Sequence, residues 1–247
     1  MKSVDRVSGV LLAFTGGHLV LGVTDIAREL DLPKSAVHRT LSALVATGLL
    51  TRDGDTSGYR LGPRAVDLGL AAGGSPDLLA RALPFLQGLR DESGETATLS
   101  ALIGVERVYL GQVEGAQDVR MTIEVGARAV LHAGASGRAI LAQFTAPELE
   151  SYLARTTLTP LTEGTITDGT RLRRVLQEVR ERGYAASRGE RDASAGAVAA
   201  GFRVGVAGPI GSMSICGPLQ RFNGAAVATY GGLVAAAAAR LLAQLVT

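Results

Sequence analysis

Apolar and polar residues alternate with a helical period at three places near the start of the chain. Apolar positions recur between Ser3 and Phe14, between Asp25 and Leu30, and again after Pro33. Thr24 is a suitable N-cap for the second of these helices, and Pro33 suits the first turn of the third. A hairpin is predicted to follow, and this order is typical of a winged helix-turn-helix. We therefore expect this part of the chain to bind DNA.

The helix after Pro33 divides into two faces. At about 100° per residue, an arc of roughly 140° collects five polar or charged side chains, namely Lys34, Ser35, His38, Arg39 and Ser42. The opposite arc carries the side chains that would pack on the preceding helix, namely Val37, Thr40, Leu41 and Leu44. A helix in the major groove needs this division, since arginine can donate two hydrogen bonds to guanine. The alternative is an ordinary amphipathic surface helix, and the neighbouring elements favour DNA binding.

The hairpin predicted after Gly48 would form the wing. Leu49–Arg52 and Tyr59–Leu61 flank the turn-forming sequence DGDTSG. Arg52 and Arg60 lie on the two arms, where a wing meets the sugar-phosphate backbone. Together with Thr24 and the five polar residues of the second helix, they complete the predicted DNA-binding set.

The rest of the chain predicts a larger unit of helices and mostly antiparallel strands, an α+β fold. The sequence GGSP at residues 73–76 is the best candidate boundary. Helices are predicted at 77–92, at 137–144, from 147, at 170–182 between the N-cap Asp168 and Gly183, and from 219 onwards. Strands are predicted at 96–103, 106–113, 119–125, 184–187, 198–206 and 212–216.

Composition narrows the class of protein. The formal net charge is +2, and residues 1–74 hold eight Lys/Arg and seven Asp/Glu, a net charge of +1, so only the placement of the basic residues indicates DNA. The single cysteine, Cys216, excludes an intramolecular disulfide and fits a reducing cytosol. We expect no leader, and the apolar run 233–246 is interrupted by Arg240 and shorter than a bilayer span. These features predict a soluble, cytoplasmic protein.

The motifs of common enzyme classes are missing from the sequence. It contains no GxGxxG or GxSxG, no lysine after Lys34, and no metal-ligand spacing among its three histidines and one cysteine. Ser136 with His132 could form a catalytic pair, and Glu190 with Asp192 a carboxylate site. A turn beside an ordinary histidine and a charged loop are the simpler interpretations. We therefore expect no enzyme, no metal and no cofactor.

Six stretches, in this order, resemble the IclR family of bacterial transcriptional regulators along nearly the whole chain: SVDRVSGVLLAF, VTDIARELDLPKSAVHRTLSALVATGLL, YRLGPRAVDLG, VLHAGASGRAILA, GYAASRGERDASAGAVAA and SMSICGP. The resemblance implies a winged helix-turn-helix over residues 1–62, a linker helix over 63–74, and a GAF-like effector-binding and oligomerisation domain over 75–247. It also implies a homodimer or dimer of dimers on pseudo-palindromic operator DNA. Regulation, more often repression, would respond to a small metabolite such as a carboxylate or aromatic acid.

The resemblance also implies an effector pocket lined by Met121, Ala129, Ala135, Ser136, Ser187, Ala197, Ser214 and Cys216. The turn at Ala135 and Ser136 would expose N–H groups at a helix N-terminus, an anion site that needs no basic side chain. With Ala197 and Cys216, the pocket has fewer polar groups than some pockets of the family, which indicates a larger or less polar ligand. Gly201 stands where a proline is usual in the family. The alternative is that these small residues only fill a tight sheet.

Two other mechanisms compete with a ligand-responsive regulator. Oxidation of Cys216 would make the protein a redox switch, although reactive thiols are exposed and Cys216 lies in an apolar strand. An enzyme acting on the pocket ligand is the second alternative, and the missing catalytic motifs oppose it.

Overall fold

The computed structural model describes residues 3–15, 20–54, 56–65, 68, 76–205 and 208–246. The chain divides into two compact units, Met1–Ser75 and Pro76–Thr247. Up to Leu61, the described part of the first unit contains three helices and an antiparallel hairpin: α1 (Ser3–Ala13), α2 (Val23–Glu29), α3 (Lys34–Ala46), β1 (Leu50–Arg52) and β2 (Tyr59–Leu61). This is the winged helix-turn-helix that the sequence predicts.

A single apolar cluster holds the first unit together. Each element from α1 to β1 contributes at least one side chain with 0–1% exposure: Val10, Ile26, Val37, Leu41 and Leu50. Burial of such side chains stabilises a small domain by about 1.5–3 kcal/mol each relative to exposure. The positions with helical spacing in the sequence are therefore the ones that form this core.

Two helix starts differ from the expectations. Thr24 is not an N-cap, because α2 begins at Val23 and Gly22 occupies the cap position. The preceding residue, Leu21, forms an antiparallel bridge with Tyr59, which keeps the chain extended until the helix starts. Pro33 is the N-cap of α3 rather than a first-turn residue, since its ψ of 134° is extended.

The second unit is built on a six-stranded sheet with the order β5-β4-β3-β8-β7-β6, in which every neighbouring pair is antiparallel. Its strands are β3 (Thr96–Ile103), β4 (Glu106–Val113), β5 (Arg128–Val130), β6 (Ala185–Arg188), β7 (Ala195–Arg203) and β8 (Ile210–Pro218). Its helices are α4 (Pro76–Ser93), α5 (Ala135–Leu141), α6 (Ala146–Arg155), α7 (Gly169–Arg182) and α8 (Gly224–Val246).

Helices cover both faces of the sheet. Side chains of α4 and α8 pack with Leu99, Val198 and Ile215 on one face. Helices α5, α6 and α7 pack with Ala185 and Ala199 on the other. Because successive side chains of a strand point to opposite faces, Val198 and Ala199 contribute to different cores. The sheet is therefore the middle of three layers.

Residues 119–125 do not form the predicted strand. The Thr96 hydroxyl donates to the Met121 carbonyl at 2.5 Å, and the Gln112 side-chain carbonyl accepts from the N–H of Ile123 at 2.9 Å. Side chains thus satisfy backbone groups that a ladder would otherwise pair. The edge strand next to β4 is instead β5, which lies further along the chain.

Two helix starts in the second unit differ from the predicted ones, and the caps of one helix are confirmed. Helix α5 begins two residues before the expected start and ends at Leu141. A 3₁₀ turn, Leu219–Arg221, precedes α8, so the last helix begins at Gly224. The caps of α7 are confirmed, because the Asp168 carboxylate accepts from the N–H of Arg171 at 2.6 Å and Gly183 has a φ of +83°.

Helix α8 is longer than the apolar run expected at 233–246. With 23 residues it is long and apolar enough to cross a membrane by length and composition. Its buried stripe, which includes Val234 and Leu241, packs in the core beneath the sheet. Of the linker helix expected at 63–74, residues 63–65 and 68 are helical. The rest of it, with residues 73–75 of the expected boundary, lies outside the described residues.

Candidate DNA-binding surface and effector pocket

Helix α3 carries its polar residues on the exposed side. The five predicted DNA-binding residues of this helix, Lys34, Ser35, His38, Arg39 and Ser42, are all exposed. Val37, Leu41 and Leu44 are buried against the rest of the unit. Thr40 is buried as well, and its hydroxyl donates to the Ala36 carbonyl at 3.0 Å, which satisfies the polar group within the helix.

The two arginines of the wing lie on opposite faces of the hairpin. The register pairs Arg52 with Tyr59 and Arg60 with Thr51, and paired residues share a face. The Arg52 guanidinium lies 5.6 Å from the centroid of the Tyr59 ring. The Arg60 guanidinium lies 3.6 Å from the Asp53 carboxylate. Both arginines, like Thr24, are exposed. Each face of the wing presents one of the two arginines.

A narrow pocket of about 40 Å³ opens on the same face of the large sheet as α5. It brings together seven of the eight predicted effector residues: Met121, Ala135, Ser136, Ser187, Ala197, Ser214 and Cys216. Ala129 is not among the residues that line this pocket. It lies on the edge strand β5 directly opposite Arg107, and the longer Arg107 side chain lines the pocket. A cavity this small does not support the larger ligand expected from Ala197 and Cys216.

Two central strands present a row of buried polar side chains on the pocket face. The antiparallel register sets Thr98 of β3 opposite Ser214 of β8, and their hydroxyls lie 2.7 Å apart. The pairs on either side are Thr96 with Cys216 and Ser100 with Ser212. The residues between them, such as Leu99 and Ile215, point into the core with α4 and α8.

Arg107 and Tyr109 of β4 are pocket residues that sequence reasoning missed. Arg107 has 2% exposure and donates to the Tyr109 hydroxyl at 2.8 Å and to the Ser100 hydroxyl at 3.3 Å. Burial lowers the pKa of its guanidinium, while Tyr109 opposes this effect. The alternation of side chains along a strand could have indicated these two residues. A period of two places Arg107 and Tyr109 on the same face of β4, beside the polar row.

A loop after β6 closes the pocket with three charged residues, Glu190, Arg191 and Asp192. The Glu190 carboxylate pairs with the buried Arg138 and accepts from the N–H of Gly134 at 3.2 Å. The Asp192 carboxylate accepts from the N–H and hydroxyl of Ser194, and these bonds lower its pKa. Both carboxylates therefore have partners within the protein. The Glu190 carboxylate lies at the N-terminus of α5.

The geometry opposes the Ser136–His132 catalytic pair and the Cys216 redox switch. His132 is hydrogen-bonded through Nε2 to the Thr159 carbonyl at 2.9 Å and does not line the pocket that contains Ser136. Burial raises the pKa of the Cys216 thiol to about 12, so this group is neutral at physiological pH, which opposes the redox switch. Within the described residues, no group of three His, Cys, Asp or Glu side chains is placed to hold a metal ion.

The sequence matches two family models, described as the IclR helix-turn-helix domain over residues 3–54 and the bacterial transcriptional regulator IclR C-terminal over 71–242. The chain is 32% identical to the HTH-type transcriptional regulator BhcR of Paracoccus denitrificans, over 98% of this chain and 86% of that protein. It is 32% identical to the HTH-type transcriptional repressor AllR of Escherichia coli, over 86% of this chain and 78% of that protein.

Among solved structures, the fold is similar to that of an IclR homologue from Microbacterium hydrocarbonoxydans complexed with 4-hydroxybenzoate. The TM-score is 0.80 with 29% identity, and the match covers 99% of each chain. Relatives named as transcriptional regulators, a helix-turn-helix at the start of the chain and a separate pocket in the second unit describe a ligand-responsive, DNA-binding regulator and not an enzyme. The chain belongs to the IclR family of bacterial transcriptional regulators.

Proposed function

We propose that this regulator represses transcription by binding operator DNA through α3 and the wing, and that a small carboxylate or aromatic acid in the pocket changes its affinity for that DNA. The observation that carries the proposal is the enclosed pocket, which gathers hydroxyl and guanidinium donors on a domain separate from α3. The AllR relative is named a repressor, which supports the direction of the response.

On the DNA side, the exposed face of α3 would enter the major groove. Arg39 would donate to the edge of a base, and Lys34, Ser35, His38 and Ser42 would contact bases or phosphates. Arg52 and Arg60 of the wing, with Thr24 of α2, would contact the sugar-phosphate backbone. Their placement on an exposed surface supports these roles.

On the effector side, the pocket would hold an anion of a few heavy atoms. Its volume of about 40 Å³ is far below the 300–1,000 Å³ typical of drug-sized ligands. An aromatic acid such as the 4-hydroxybenzoate bound by the Microbacterium relative would therefore require the 189–194 loop to move outward.

We further propose a domain arrangement and a setting for this activity. Residues 1–62 would form the DNA-binding domain, 63–74 a linker helix, and 75–247 the domain that binds effector and oligomerises. A homodimer or dimer of dimers would place two copies of α3 about 34 Å apart, or a multiple of it, on pseudo-palindromic DNA. The protein would act in the cytoplasm without contact to a membrane.

Effector binding can change operator affinity only if the two states of the regulator bind the effector differently. Fluorescence anisotropy on the DNA upstream of its own gene tests this directly, with scrambled duplex and Arg39→Ala as controls. We expect selective binding by the wild type, loss of selectivity in the variant, and a change in affinity when a small carboxylate is added. Equal binding to every duplex would contradict the DNA-reading role, and indifference to every carboxylate in the panel would contradict the effector role.

A further inference from the structure

We infer that Arg107 binds the anionic group of the effector, so that the pocket selects a small carboxylate over the neutral molecule of the same shape. This inference deepens the proposed function and depends on it for the identity of the pocket as an effector site. Arg107 is not among the effector residues that the family resemblance implies.

The first argument is the lack of a counter-charge. Arg107 has 2% exposure, and within the described residues it forms no ion pair with a carboxylate. Its Nε is buried and has no hydrogen-bond partner. A buried charge that lacks a partner is costly for a fold to keep. A ligand carboxylate at this place would provide both the charge and the missing acceptor.

The neighbouring groups do not compensate for this charge. Glu190 is paired with Arg138, and Asp192 is hydrogen-bonded to Ser194. Arg191 lies 5.6 Å from the centroid of the Tyr109 ring and adds a second positive charge to the pocket wall. Cys216 remains a neutral thiol in this setting. The Asp192 carboxylate keeps its negative charge and lies near enough to Arg191 for that arginine to lower its pKa. With Glu190 set against Arg138 and Asp192 against Arg191, Arg107 is the charge left unbalanced in the pocket wall.

The donors at Arg107 also match the shape of a carboxylate. The guanidinium has five N–H groups, and two of its nitrogens are already held by Ser100 and Tyr109. These bonds, with the Tyr109 ring 4.4 Å from the guanidinium carbon, fix the orientation of the fork before a ligand arrives. The Tyr109 oxygen accepts from Arg107, which leaves its own proton free to donate to the same ligand. Preorganised forks of this kind bind planar carboxylates with two hydrogen bonds.

A purely structural role for Arg107 makes the opposite prediction. If the arginine served only to pack β4, its removal would leave anion binding unchanged. If Arg107 binds an anion, Arg107→Met should still fold, because an apolar side chain of similar length replaces a buried charge that has no carboxylate partner. Arg107→Lys keeps the charge and loses the fork, so it provides a second test should the methionine variant fail to fold.

The experiment uses the full chain with sodium acetate as the probe and acetamide as its neutral counterpart, at constant ionic strength and pH 7.5. Acetate should raise the wild-type Tm and acetamide should not. Affinity for acetate should fall at least about tenfold in Arg107→Met and Arg107→Lys, which corresponds to about 1.4 kcal/mol. Arg128→Met removes an exposed arginine of β5 that pairs with Glu106, and it should respond as the wild type does.

The inference is overturned if acetate and acetamide act alike on the wild type, whether both shift the Tm or neither does. It is also overturned if the Arg107 variants keep the wild-type response. Operator binding is measured separately, on the wild type and on Arg107→Met. Arg107-dependent acetate binding without operator binding would refute the proposed function and leave the inference standing. If operator binding by Arg107→Met responds to carboxylates as that of the wild type does, the inference is refuted and the proposed function stands.

Discussion

A Cβ atom on Gly201 of β7 would lie 2.1 Å from the carbonyl oxygen of Ala139 in α5. The absence of a side chain at Gly201 therefore lets α5 lie directly on the sheet. Gly137 within α5 allows a second close approach, since a Cβ there would lie 2.2 Å from the carbonyl oxygen of Leu131, in the segment that leads into the helix. The departure from proline at Gly201, noted in the sequence, is a packing requirement of the helix that forms one wall of the pocket.

Gly201→Ala should lower the free energy of unfolding by about 1–3 kcal/mol, because the clash is with backbone that cannot rotate away. Urea denaturation of the variant and the wild type measures this change. Gly88→Ala is the matched control, since nothing lies within 4 Å of a Cβ at that helical position. It should be neutral or stabilise by up to about 1 kcal/mol. Equal effects at the two glycines would contradict the close packing of α5.

Arg39→Ala should weaken operator binding by about 1–3 kcal/mol and relax the preference for one base position, as expected for a bidentate contact to guanine. Competition binding with operators substituted one base pair at a time measures both effects. Arg155→Ala, an exposed arginine at the end of α6, should leave the binding profile as it is. A uniform loss over all sequences would instead assign Arg39 to a phosphate.

Arg52→Ala should weaken binding to all duplexes to a similar extent, because a backbone contact carries no sequence information. The slope of log affinity against log salt should become shallower by about one unit. Arg60→Ala provides the comparison, since Arg60 lies on the other face of the wing and near Asp53. Salt titrations of both variants show which face of the wing meets DNA. A base-dependent loss in Arg52→Ala would exclude the backbone role.

Arg138→Met should destabilise the second unit by about 3–5 kcal/mol, because it removes a buried guanidinium and leaves the mostly buried Glu190 carboxylate without its partner. Arg173→Met removes the partner of Glu150 in an exposed ion pair and should cost at most about 1 kcal/mol. Denaturant titration of both variants provides the comparison. A small effect at Arg138 would mean that water replaces the guanidinium and that the 189–194 loop is not held by this pair.

Cys216 should make the wild type sensitive to alkaline pH. Burial raises the pKa of its thiol from an ordinary 9.0 to about 12, so the folded state keeps the proton where the unfolded state loses it. The stabilisation from this group is therefore complete below about pH 9 and is lost as the pH rises from about 9 to about 12. The free energy of unfolding of Cys216→Ala, measured over the same range, should fall less steeply. Parallel curves would show that the thiol is solvated.

The same thiol should resist chemical modification, since the thiolate is the reactive form. Iodoacetamide at pH 7.5 should label Cys216 slowly in the native protein and rapidly in urea, as followed by intact mass. Rapid labelling of the native state would reopen the redox interpretation of this residue.

Local periodicity predicted much of the fold. The two faces of α3 follow from apolar residues spaced at three and four positions, and the bounds of β3 and β4 follow from an alternating pattern followed by a glycine turn. The irregular segment 119–125 was not predictable in this way. Its conformation depends on side chains of Thr96 and Gln112, which are distant in sequence. A local pattern contains no information about such bonds.

The pocket shows the same division between local and distant information. Ser187, Ala197 and Ser214 were placed by resemblance to a family motif, and the structure brings them together. Arg107 was missed because the local pattern of its strand, which begins with Glu106 and Arg107, does not show that the arginine is buried. In the structure β5 pairs along β4, and Arg107 lies in the pocket wall, bonded to Ser100 and Tyr109. The partner of Arg107 in that pairing is Ala129, 22 positions later in the chain.

The polar row on β3 and β8 also determines how these strands can pair. A slip of β8 by one residue would turn Ser212, Ser214 and Cys216 towards α4 and α8 and expose Met213 and Ile215 to the pocket. Each hydroxyl left among apolar side chains would cost about 1–3 kcal/mol, so misregistered sheets are strongly disfavoured. The polar residues on the pocket face of the sheet thus also protect the folding chain from mispairing. Evolution towards a new ligand at these positions is constrained by folding fidelity as well as by affinity.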